Sequence, residues 1–66
     1  MQELNMKTRQ AIKFILKKNG LTKYALAQEI GCNPTSINQW ERRTRMSKAY
    51  ANIVYRKFKV VVTDAC

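Results

Sequence analysis

Few side chains here could make or break a covalent bond. The chain has no His, two cysteines (Cys32 and Cys66) and four acids, Glu3, Glu29, Glu41 and Asp64, scattered along its length. Two cysteines make no disulfide framework, and without His they complete no zinc site. Neither thiol has an activating partner in sequence, so no enzyme, metal site or cofactor is expected. Cations and hydrogen-bonding groups are abundant instead. Thirteen Lys and Arg face four Asp and Glu, a net charge of +9 and a pI near 10.1. Such a balance attracts polyanions, with nucleic acid first and an anionic membrane surface second. One short stretch gathers compact or amide-bearing polar side chains with no acid among them: Thr35, Ser36, Asn38 and Gln39.

Sixty-six residues suit one domain, 1–66, with a small core to which a partner subunit could add. The 45% apolar and 26% charged composition is globular. No apolar run nears the roughly 18 residues of a membrane span. Residues 1–6 read as polar rather than as a signal peptide, and a reducing cytosol is the expected location.

Asn5 to Lys18 is expected as a first helix. Ile12, Ile15 and Leu16 share a face with Thr8 and Ala11, and Lys7, Arg9, Lys13, Lys17 and Lys18 fill the rest. Asn19-Gly20 is a stop signal. A second helix should follow Thr22 as its cap, with Leu21 and Leu26 as a hydrophobic staple, and end at Gly31. A third helix, about 34–41, starts from Asn33 as cap with Pro34 in the first position. Two short helices so closely joined must cross steeply. A fourth helix is expected from Ser47 to about Lys57, with Tyr50, Ile53, Val54 and Phe58 as its apolar face. Val60-Val61-Val62-Thr63 is β-branched and favours a strand. Such a strand needs a partner, for which its twin in a dimer is a candidate; the alternative to a strand is an extended segment packed on the core.

Counted from Lys23, the fifth residue is Ala27, the ninth Gly31, the fifteenth Ile37 and the eighteenth Trp40. Ala27 must be small where two helices meet, and Gly31 supplies a positive φ without a Cβ penalty. The stretch Leu21-Thr22, Leu26-Ala27, Gly31, Asn33, Ile37, Trp40-Glu41 resembles the helix-turn-helix of phage Cro and repressor proteins, over about residues 22–41. The resemblance implies a mainly α, four- to five-helix domain whose third helix enters the major groove of double-stranded DNA. It implies a transcriptional repressor, dimeric on a palindromic operator, acting in a bacterial host cell. Three departures stand out. Lys23 replaces a common Gln, Arg42-Arg43 follow Trp-Glu where a Gly is usual, and Pro34 occupies a place where some relatives carry a polar base reader.

On this reading Ile37 and Trp40 point inward, and Thr35, Asn38 and Gln39 read bases, with Ser36 near base or phosphate. Asn and Gln can pair bidentately with adenine N6 and N7, and the Thr35 methyl can meet a thymine methyl. Lys23, Asn33, Arg42, Arg43, Arg45 and Lys48 are the expected phosphate contacts, Lys23 at a helix start where free N–H groups also face an anion. Arg42, Arg43 and Arg45 are expected in a loop after the third helix. About five neutralised phosphates per subunit would give a salt slope near −4 to −5. The dimer surface is expected in the C-terminal half, including Tyr55, Phe58 and Val60 to Val62. Trp40 is expected as a core anchor and Cys32 as a small buried hydrophobe. Two other readings compete. An antitoxin of a toxin–antitoxin pair would use the same motif but have a protein as its main partner. A membrane-surface protein would leave the second and third helices unexplained.

Overall fold

The computed structural model describes residues 4–42 and 44–66. Its elements run β1 (Leu4–Met6), α1 (Thr8–Asn19), α2 (Lys23–Ile30), α3 (Pro34–Arg42), α4 (Lys48–Phe58) and β2 (Val60–Val62). The fold is mainly helical, with four helices among the described residues. Each helix end has a local cause. Thr22 Oγ accepts from the Ala25 N–H at 3.1 Å, satisfying a donor that the first turn of α2 leaves free. Gly20 and Gly31 close α1 and α2 in the left-handed region, at φ 62° and 85°. Lys59 closes α4 in the same region, at φ 59°, with its N–H on the Tyr55 carbonyl at 2.9 Å. That conformation disfavours any residue with a Cβ.

The β-branched tail does form a strand, but its partner is neither a twin nor bare core. β2 pairs in parallel with β1 of the same chain, in the register Leu4↔Val60, Asn5↔Val61 and Met6↔Val62. Two corrections follow. Asn5 and Met6 belong to a strand, so the first helix begins at Thr8. Val60 and Val62 are buried in the chain's own core and cannot lie on a dimer surface, whereas Val61 points the other way and is half-buried. The alternation is what a strand's two-residue period dictates.

The core gathers one face of each helix: Ala11, Ile12 and Ile15 of α1, Leu26, Ala27 and Ile30 of α2, Ile37 and Trp40 of α3, and Val54 of α4. Trp40 stacks against Tyr50 with ring centroids 5.4 Å apart, tilted by 59°. Met46, which has no periodic neighbours to betray it, is fully buried between α3 and α4.

One polar knot lies at the base of this core. The residue before α1 is Lys7, whose side chain makes no capping bond. The carboxylate of Asp64, 56 residues away from Thr8, takes that place. Its Oδ1 accepts from the Thr8 N–H at 2.8 Å and from the Thr8 hydroxyl at 2.6 Å. Thr8 Oγ in turn accepts from the Met46 N–H at 3.1 Å. The backbone of Cys66 completes the knot, donating to the Met46 carbonyl and accepting from the Lys48 N–H, both at 2.9 Å. Burial pushes the Asp64 carboxyl up. The two Thr8 hydrogen bonds, its own N–H and the Arg45 charge outweigh that and hold it below the ordinary aspartate value.

Candidate nucleic-acid interface

The α2–turn–α3 unit is built by short-range forces. The Ala27 carbonyl accepts from both Gly31 and Cys32, at 2.8 and 2.9 Å, so the chain reverses within one turn of the end of α2. Pro34 then opens α3, where a missing N–H costs nothing. The Asn33 carbonyl accepts from the Ser36 N–H at 2.9 Å. Leu26, Ala27 and Ile30 below, with Ile37 and Trp40 above, lock the two helices at their crossing. Cys32 is half-buried beside them, and burial pushes its thiol up, so it remains a neutral apolar filler.

Burying Ile37 and Trp40 turns the opposite side of α3 outward. Thr35, Asn38 and Gln39 are exposed there together, and Ser36 at the shoulder is half-buried. Asn33 is exposed just before the helix. Arg42 is exposed too, but it is the last residue of α3 and not part of the loop, a correction to the expected boundary. At this end of α3 the Thr44 N–H reaches back to the Gln39 carbonyl at 3.1 Å, and Glu41 is tied to Lys23 of α2. Arg45 is exposed in the following segment and Lys48 in the first turn of α4. Arg43 lies outside the described residues.

Lys23 has specific partners. Its ammonium donates to Asn38 Oδ1 at 3.1 Å and stands 3.4 Å from Glu41 Oε1. Glu41 is the more enclosed partner, its side chain 19% exposed against 49% for Lys23. Its Oε1 is shut off from solvent without a well-aligned hydrogen bond among the described residues. Glu41 is thus an interhelical ion-pair partner. Sequence reasoning missed the Lys23–Asn38 contact because it joins the starts and middles of two helices whose crossing angle no local pattern specifies. It also missed the Asp64–Thr8–Met46 knot. The only signals for it were a polar Thr8 on the apolar stripe of α1 and a lone acid in an otherwise apolar tail.

Among the described residues no group of three or more His, Cys, Asp or Glu is placed to hold a metal, and no helix is long and apolar enough to cross a membrane. Chemically the surface offers hydrogen-bond donors and acceptors on a protruding helix, flanked by cations. Two short helices crossing at a glycine turn, the second with a buried apolar side and an exposed amide-bearing side, define a helix-turn-helix unit. The helix-turn-helix family profile matches residues 12–49, more than half of the chain, and the chain belongs to that family of sequence-specific DNA-binding regulators of transcription. No curated protein and no solved structure gives a significant match.

Proposed function

We propose that this protein is a Cro-type repressor that binds a palindromic operator as a symmetric dimer and excludes polymerase by occupancy. The observation that carries the reading is the division of α3 into a buried side, Ile37 and Trp40, and an exposed side, Thr35, Asn38 and Gln39, free of acids. A helix so divided can enter the roughly 12 Å wide major groove without presenting negative charge to the duplex. Thr35, Asn38 and Gln39 read base edges, and Ser36 meets base or backbone. Asn33, Arg42, Arg45 and Lys48 meet phosphates, as does Arg43 by its place in sequence. Lys23 is left out of the phosphate set because its ammonium is already held by Asn38 and Glu41.

Phosphate contacts fix the register and supply the sequence-independent affinity, while base contacts specify. Four neutralising cations per subunit give a log–log salt slope of about −3.6 per subunit. In a symmetric dimer the two α3 helices enter successive major grooves about 34 Å apart. With Val60 and Val62 inside, the second subunit is expected against α4 and β2, where Tyr55, Phe58 and Val61 are half-buried.

Random-site selection with the purified protein tests the reading. Two symmetric half-sites, one helical turn apart between centres, are expected. Gln39→Ala should relax preference at one base pair per half-site, and Arg42→Ala should weaken all sequences alike. A consensus that Gln39→Ala leaves untouched would refute the orientation of α3.

A further inference from the structure

We propose that Lys23 is a positioning residue for base recognition: it holds the Asn38 carboxamide with its oxygen toward α2 and its two N–H groups toward the groove. Asn38 then reads a hydrogen-bond acceptor on a base. This inference rests on the reading of α3 as the helix that enters the major groove.

An ammonium has three donors and no acceptor. Beside it, a carboxamide can present only its oxygen, so the 3.1 Å contact from Lys23 Nζ to Asn38 Oδ1 selects one of the two amide orientations. Asn38 and Glu41 are three residues apart on α3 and share a side of it. Lys23, the first residue of α2, lies over both and joins the two helices.

The ammonium has a reason to stay there when DNA arrives. A phosphate can compete for it by releasing condensed counterions. Glu41 Oε1 is closed off from solvent, and Lys23 is its cation at 3.4 Å. The pair is part exposed, 49% at Lys23 and 19% at Glu41, but moving the ammonium away leaves the enclosed Oε1 without its cation. While Lys23 stays with Glu41, it orients Asn38.

The consequence is a change in what Asn38 recognises. A freely rotating Asn pairs bidentately with adenine, accepting from N6 and donating to N7. With its oxygen drawn toward α2 and one of its two lone pairs taken by Lys23, Asn38 presents its N–H groups foremost. It suits the guanine O6 and N7 edge or thymine O4, and it opposes the cytosine N4 amino group, which is itself a donor.

The test is site selection and salt titration with the wild type and four variants. The wild type should prefer guanine or thymine at one position per half-site, and Asn38→Ala should relax that position. Lys23→Met should lower the preference there about five-fold, in favour of adenine, with other positions and the salt slope unchanged. Lys23→Arg, which keeps a donor and a charge, should retain the wild-type consensus. Glu41→Gln, which releases the ammonium, should relax the same position and steepen the slope by up to about 0.9 per subunit as Lys23 reaches a phosphate.

If Lys23→Met weakens every sequence equally and flattens the slope by about 0.9, Lys23 is a phosphate contact and the proposal fails. Asn38→Ala would still relax one position in that case, leaving the reading of α3 intact. If Asn38→Ala relaxes no position, Asn38 does not read bases and the inference falls with that assignment.

Discussion

Replacing Asp64 should destabilise the protein far more than an ordinary change outside a helix or strand. Its carboxylate accepts two hydrogen bonds from Thr8 and stands in for the capping group that Lys7 cannot provide. Loss of a capping acceptor costs about 1–2 kcal/mol. The Thr8 hydroxyl, on a residue only 1% exposed, loses a charged acceptor worth about 1 kcal/mol more. Asp64→Ala should therefore cost about 2–3 kcal/mol against a total of about 3–10 kcal/mol for a chain this size. In a thermal melt followed by circular dichroism this is a drop of about 10–20 °C. Asp64→Asn keeps an acceptor but no charge and should cost about 1 kcal/mol.

The same site predicts a pH dependence. Asp64 is held below its unfolded value, so the folded state binds fewer protons there. Its contribution is complete above the ordinary aspartate range and fades as pH falls through about 4 and below. The Lys57–Glu29 and Lys23–Glu41 pairs are common to all three proteins, so the difference between wild type and Asp64→Asn isolates Asp64. The gap between them should close on acidification. An Asp64→Ala melt that coincides with wild type at pH 7, or a gap that stays constant to pH 2, would refute the capping role.

Two further substitutions test the helix ends. Gly31→Ala meets no atom within 4 Å, so its cost comes from the backbone alone, at φ 85°, and urea unfolding should show a loss of about 1–2 kcal/mol. Lys59→Gly should act in the opposite sense. It relieves a left-handed non-glycine residue at φ 59° while losing the contact of its ammonium with the Tyr55 ring at 5.6 Å. The expected net gain is about 0.5–1 kcal/mol in the same assay.

The α2–turn–α3 unit was legible because its determinants are local. Thr22, Gly31 and Pro34 act within one turn of where they stand, and the apolar spacing of Leu26, Ala27, Ile30, Ile37 and Trp40 identifies the buried sides. What depended on distant partners was not legible. Three β-branched valines announced a strand, but its partner, Leu4–Met6, is only three residues long and lies at the opposite end of the sequence. Assigning the strand to a dimer therefore misplaced Val60 and Val62. Met46 and Asp64 act through long-range hydrogen bonds to Thr8, which periodicity cannot express. On the candidate site, exposure of Thr35, Asn38 and Gln39 followed from helix geometry. The clasp of Lys23 on Asn38 needed the crossing of two helices in three dimensions.

Methylation interference on a selected site tests most directly whether α3 enters the major groove. Guanine N7 lies in that groove and adenine N3 in the minor groove. N7 methylation should block binding in two patches centred one helical turn apart, and N3 methylation within those patches should not. Interference confined to N3, with N7 methylation tolerated throughout, would contradict the account.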